Sequence, residues 1–152
     1  DLLLRRCVLE EIVKQAVKEV SILFIHKKIR LVLGSLQEEV LTDSKWLQFV
    51  ISQLLTNAVK YTSSGSVFVW YEGTTLYIRD TGIGIRQEDL PRIFEWGYTG
   101  CNGHMQSQST GIGLNLCKRA LTMLGHTIAI RSQPGCGTTV EIRLARQELE
   151  ME

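Results

Sequence analysis

No stretch of this 152-residue chain stays apolar for more than a few residues. That excludes a transmembrane helix, which needs about 20 such positions, and the apolar segment of a signal peptide. Nor does one charge prevail. Lys and Arg total 17 against 16 Asp and Glu, a net charge of +1, so no basic surface for nucleic acid or for an anionic membrane is expected. Of the four cysteines, Cys7, Cys101, Cys117 and Cys136, no two form a Cys-x-x-Cys pair. Their scatter suits neither a zinc site nor a disulfide framework, and the expectation is reduced thiols in a cytosolic domain. Two nucleotide-binding signatures are also missing. There is no Gly-x-x-x-x-Gly-Lys-Ser/Thr, and neither glycine pair extends to Gly-x-Gly-x-x-Gly, so a P-loop and a dinucleotide fold are disfavoured.

What is present is one domain's length of chain that is 44% hydrophobic, enough for a core. Ile12, Val13, Ala16, Val17, Val20 and Leu23 repeat at helical spacing. They predict an amphipathic helix over Leu9–Phe24, after an extended lead-in at residues 1–7 and before a basic turn, His26-Lys27-Lys28. Short strands follow at Ile29–Leu33 and Glu39–Thr42. Thr42 or Asp43 caps a second helix running to about Tyr61. Val67–Tyr71 and Thr74–Arg79 make a hairpin around Glu72-Gly73. Gln87–Arg92 forms a short helix interrupted by Pro91. Residues 97–110 hold hardly any large aliphatic side chain and are expected as a surface loop. A third helix spans Ile112–Leu124 and ends at Gly125. His126–Arg131 and Thr138–Leu144 pair around the Pro134–Gly137 turn, and the tail from Gln147 frays. The whole predicts an α/β (α+β) two-layer sandwich: one mixed, mainly antiparallel sheet of about five strands, with three main helices on one face.

The chemistry centres on Asp80-Thr81-Gly82-Ile83-Gly84, at the end of the Thr75–Arg79 strand. Glycines at that spacing serve a loop that needs φ > 0 or a close approach. An ionised carboxylate there accepts a charge-assisted bond from an exocyclic amine, which adenine has and guanine lacks. The bland reading of Asp80 is a turn aspartate. On the second helix, Gln53, Asn57 and Lys60 share a stripe with Phe49, and Tyr61 follows. An amide oxygen for Mg²⁺, a cation for phosphate and a ring for a base suit a magnesium nucleotide; a helix-surface amide is the alternative for Asn57. Gly111 and Gly113 open the third helix, where backbone N–H groups cradle phosphate, unless they merely begin a helix.

In order these pieces read Asn57-Ala58-Val59-Lys60-Tyr61, Asp80-Thr81-Gly82-Ile83-Gly84, Arg92-Ile93-Phe94-Glu95-Trp96-Gly97 and Thr110-Gly111-Ile112-Gly113-Leu114. The series resembles the N, G1, F and G2 boxes of bacterial sensor histidine kinases, whose ATP-binding (Bergerat) fold is shared with Hsp90, DNA gyrase and MutL. The phenylalanine box points to the kinase branch. The resemblance implies ATP and Mg²⁺ as cofactors. Asn57 would be the metal ligand, Lys60 a phosphate contact and Tyr61 a neighbour of adenine. Asp80 would take the adenine amine, and Gly82, Ile83 and Gly84 would shape its pocket. Residues 97–110 would be the ATP lid, with Thr110, Gly111, Ile112, Gly113 and Leu114 its phosphate-facing hinge and Thr139 a threonine near the base. Many members have a second asparagine one turn before the first; Gln53 stands there, which leaves its metal ligation open. Thr42-Asp43-Ser44-Lys45-Trp46 with Gln53 is similar to the small intramembrane-sensing kinases of antimicrobial-peptide response.

The family's phosphoacceptor is a histidine followed by an acid. His26, His104 and His126 do not fit and are expected as surface or turn residues. The chain starts at Asp1 without a methionine, so the acceptor helices are expected before it. Residues 1–146 would then be the catalytic ATP-binding domain and 147–152 a tail. Its partners would be its own dimerisation domain and a response regulator, with no nucleic acid. The parent would be a membrane-bound homodimeric sensor with this domain in the cytoplasm. The competing readings are an Hsp90- or MutL-like ATPase, which needs a glutamate where Gln53 stands, an anti-sigma-type serine kinase, and a non-enzymatic binding module.

Overall fold

The computed structural model describes residues 2–95 and 112–144; the expected lid, Thr110, Gly111, His104 and the tail lie outside them. The elements are β1 (Arg5–Val8), α1 (Leu9–Lys27), β2 (Arg30–Leu33), β3 (Glu39–Thr42), α2 (Ser44–Lys60), β4 (Ser66–Glu72), β5 (Thr75–Asp80), α3 (Ile112–Leu124), β6 (Thr127–Ser132) and β7 (Thr138–Arg143). Five strands form one sheet in the order β2-β4-β5-β7-β6. β2 runs parallel to β4 and every other pair is antiparallel. Side chains alternate along each strand. Val67, Val69, Leu76, Ile78, Val140 and Ile142 therefore fall on one face, where they are buried against the apolar stripes of all three helices. Each such side chain contributes about 1.5–3 kcal/mol. The opposite face is open, and on it the Trp70 and Tyr77 rings stack 4.9 Å apart. This is the two-layer sandwich expected.

Four local expectations change. The lead-in is not merely extended: β1 pairs antiparallel with β3 in a separate two-stranded sheet, so β3 is not part of the main one. The basic turn is the last turn of α1, which runs past Phe24 to Lys27. Lys28 takes the left-handed conformation (φ 59°), and the Ile29 N–H returns to Phe24 O at 3.0 Å, closing the helix end. Of Gln87–Arg92 only a single 3₁₀ turn, Leu90–Arg92, is helical, with Pro91 in it. His126 is not on the surface. It precedes β6, is 2% exposed, and its Nε2 lies 3.0 Å from Thr42 Oγ1. That contact joins the end of α3 to the start of α2. The α2 cap is Asp43, whose Oδ1 accepts from the Lys45 and Trp46 N–H groups while Oδ2 accepts from Leu3 N–H at 2.8 Å.

Candidate functional site

The site is built on the last residue of β5. Leu76 and Ile78 point to the helices, and Asp80 comes next in that inward row, where an apolar residue would otherwise stand. Its side chain is 8% exposed. Oδ1 accepts from Gly82 N–H at 2.8 Å and from Thr138 N–H at 3.2 Å. Oδ2 has no partner among the described residues. Burial pushes the carboxyl pKa up, and the two N–H groups pull part of that back. The group is an anchored acceptor with one oxygen to spare, held in a place that favours a donor opposite it.

The glycines after Asp80 let the loop touch its neighbours. A Cβ on Gly82 would lie 2.2 Å from Tyr61 O, so only glycine fits against the end of α2. Ile83 N–H donates to the same Tyr61 O at 3.0 Å. Gly84 has φ +77°, and its Cβ would lie 2.0 Å from Gln133 O in the β6–β7 turn. Gly135 N–H donates to Ile83 O at 2.7 Å, and Ile85 N–H to Ser132 Oγ at 2.7 Å. The Ile83 side chain is left exposed.

This clamp fixes the C-terminal end of α2 beside Asp80. Gln53, Asn57, Lys60 and Tyr61 are all half-buried, at the helix margin rather than in the core. The amide of Asn57 makes no hydrogen bond with a described residue. Lys60 pairs with no carboxylate among the described residues, and desolvation holds its pKa below the ordinary lysine value. A partly desolvated, unpaired cation stands ready for an anion. Lys27, from the end of α1, reaches across to donate to Val59 O at 2.7 Å and Lys60 O at 3.3 Å, closing the end of α2. At the other end of the stripe α3 arrives. A Cβ on Gly113 would lie 2.9 Å from Gln53 Oε1. Leu114 packs half-buried against the core. Thus α2 touches the Asp80 loop at Tyr61 and the start of α3 at Gln53, about 12 Å apart at 1.5 Å per residue.

Thr139 does not share the face of Asp80. It pairs with Arg79 and Arg131, on the open side of the sheet. Strand alternation gives the inward place to Thr138, which pairs with Asp80 and donates its N–H to it. The sequence reading missed Thr138 by one residue; fixing the register from Asp80 would have found it. No group of three His, Cys, Asp or Glu among the described residues is placed to hold a metal ion. The amide oxygens of Asn57 and Gln53 are the donors on offer, and they suit Mg²⁺, which takes few protein oxygens and the rest from phosphates and water. Among the described residues no helix is long and apolar enough to cross a membrane.

Residues 42–148 match the family described as histidine kinase-, DNA gyrase B- and HSP90-like ATPases. The chain belongs to this family. It is similar to the sensor histidine kinase YxdK of Bacillus subtilis (strain 168), 45% identical over 108 residues that cover 67% of this chain and 33% of that one. It is similar also to the sensor protein BceS of Halalkalibacterium halodurans, 36% identical over 151 residues, 97% of this chain and 45% of that one. The chain therefore spans less than half the length of these relatives. Two solved structures share its fold. Full-length ShkA in complex with AMPPNP superposes with a TM-score of 0.83 at 22% identity, over 99% of this chain and 33% of that one. The catalytic domain of histidine kinase ThkA gives 0.77 at 17%, over 95% and 97%. As a member of this ATPase family the chain is an ATP-binding domain.

Proposed function

We propose that residues 1–146 are the ATP-binding catalytic domain of a sensor histidine kinase. The domain binds Mg-ATP and transfers its γ-phosphoryl group to a histidine on a dimerisation domain elsewhere in the parent protein, for onward passage to a response regulator. The observation that carries the reading is Asp80: a buried carboxylate, one oxygen tied to two backbone N–H groups and the other open, at the foot of the Gln53–Tyr61 stripe. Asp80 accepts from the adenine amine. Tyr61 and Ile83 supply apolar surface beside the base, with Gly82 and Gly84 shaping the loop. The nucleotide extends along α2, so that its phosphates come to Asn57, Lys60 and the start of α3, where Thr110, Gly111, Ile112 and Gly113 stand in the chain. Asn57, with Gln53 as the second amide, holds Mg²⁺, which neutralises phosphate charge. Lys60 adds a cation at the same end. Phosphoryl transfer asks the protein for positioning and charge neutralisation rather than covalent work, and these residues supply both.

Three facts favour the kinase over the chaperone and mismatch-repair ATPases. The relatives are named a sensor histidine kinase and a sensor protein, the phenylalanine box is present at Arg92–Gly97, and Gln53 has no carboxylate to activate water. The likeness to YxdK and BceS suits a membrane-bound homodimer of the antimicrobial-peptide-sensing kind, with this domain on the cytoplasmic side and residues 147–152 as a tail. Calorimetry with Mg-ATP is the first test: Asp80→Asn is expected to weaken binding about ten- to a hundredfold, the worth of one charge-assisted hydrogen bond, with the fold intact by circular dichroism. Unchanged affinity refutes the assignment. The second test is γ-labelled ATP with the longer protein. An acid-labile, base-stable label is expected; an acid-stable label would give the reaction to serine.

A further inference from the structure

Phe94, in the phenylalanine box, and α3 lie on either side of residues 96–111 in the chain, and two contacts from α3 reach Phe94. Asn115 Nδ2 donates to Phe94 O at 2.9 Å. One turn on, the Lys118 ammonium lies over the Phe94 ring, 4.9 Å from its centroid. The other amide atom of Asn115, Oδ1, is buried and has no hydrogen-bond partner among the described residues, so the contact that fastens this side chain there is the one to Phe94. Asn115 lies two residues after Gly113, the point where α3 meets Gln53. The rest of α3 is anchored differently: Cys117, Ala120, Leu121 and Leu124 are fully or almost fully buried in apolar surroundings.

We propose that Asn115 is a positioning residue for the phosphate end of the nucleotide. It ties the first turn of α3 to the Phe94 backbone, and so holds the N–H groups that open the helix at a fixed distance from Gln53 and Asn57. Lys118 reinforces the same tie through the ring. Because the buried half of α3 does not use Asn115, the helix stays folded without it, and what is lost is the placement of its N-terminal end. The inference rests on the ATP reading above. It adds a residue outside the resembling boxes' expected contacts, one that never touches the ligand.

The consequence separates the two ends of ATP. Adenosine is held by Asp80 and its surroundings and should not sense Asn115; Mg-ATP should. Titration calorimetry of the 152-residue chain with adenosine and with Mg-ATP is the measurement, on the parent, Asn115→Ala and Asn115→Leu. The Leu variant keeps about the same size and loses the donor without adding charge. Both are expected to bind Mg-ATP about five- to tenfold more weakly, the net worth of one hydrogen bond to a carbonyl, with adenosine unchanged. Equal weakening of both ligands overturns the proposal, since that is the mark of a general structural role, and so does an unchanged Mg-ATP affinity. If Asn115→Ala does not fold, the Leu variant decides by the same criterion. Asp80→Asn run alongside checks the nucleotide reading separately: if it leaves adenosine and Mg-ATP binding untouched, the site assignment has failed rather than the positioning role.

Discussion

Asp80 holds its proton more tightly in the folded chain than its ordinary value of 3.8 would allow, chiefly because burial strips water from the carboxylate. The sign of the resulting pH dependence follows from linkage. Below 3.8 the group is protonated folded or unfolded, and its contribution to stability is fully present. As pH rises through the raised folded value the carboxyl must ionise in a dry place, and that contribution is lost. Asp80→Asn removes the ionisation. The ligand-free variant is therefore expected to melt above the parent at neutral pH, with the gap closing as pH falls towards 3.8. Melting curves across pH check this. Coupled with the weaker ATP binding expected of the same variant, it marks a side chain kept for function at the expense of stability. Lys60 obeys the same logic with the opposite charge, since desolvation lowers its pKa. Lys60→Met is expected to weaken Mg-ATP binding with no fall in melting temperature.

Between elements, the two glycines that meet α2 differ in what they meet. Gly82 faces a backbone carbonyl at its closest contact, and backbone cannot swing aside. Gly82→Ala must push the Asp80 loop off the end of α2, at a cost of about 1–3 kcal/mol, and should lose nucleotide binding with it. Gly113 faces only the tip of the Gln53 side chain. Gly113→Ala is expected to leave stability within about 0.5 kcal/mol of the parent, because that tip can rotate. Urea unfolding of both variants gives the comparison. The Lys27 contact with Val59 O and Lys60 O is a third device of this kind. It places a cation at the negative end of the α2 dipole, and Lys27→Met should destabilise the domain by about 0.5–1 kcal/mol.

Across the whole molecule, the site joins parts far apart in the chain: the end of α2, the end of β5, the β6–β7 turn and the start of α3. A ligand that spans them must stabilise all of them together. At a nucleotide concentration a hundredfold above Kd, Mg-ATP is expected to add about 2.7 kcal/mol to unfolding, read as a rise in melting temperature. Without magnesium the rise should be smaller, and Asn57→Ala should remove most of the difference between the two conditions. The separate β1–β3 pair and the buried His126–Thr42 contact lie away from this site; they tie the N-terminal lead-in and the end of α3 to the start of α2.

The sequence by itself determined the helices, the five-strand sheet and the order of the four boxes, because these rest on local periodicity, turn residues and spacing. It singled out Asp80, Asn57 and Lys60 as candidates, since an acid ending an apolar strand and polar residues striping a helix margin are local anomalies. Only the tertiary structure decided which neighbour serves each of them. The β5–β7 register put Thr138 rather than Thr139 beside Asp80, and one residue of register changes the face of every side chain. Pairing between β1 and β3 gave the lead-in its strand, and burial at the end of α3 turned a surface histidine into an interior one. The close approach of Gly82 to Tyr61 and of Asn115 to Phe94 likewise depends on contacts between residues distant in sequence, which no local pattern records.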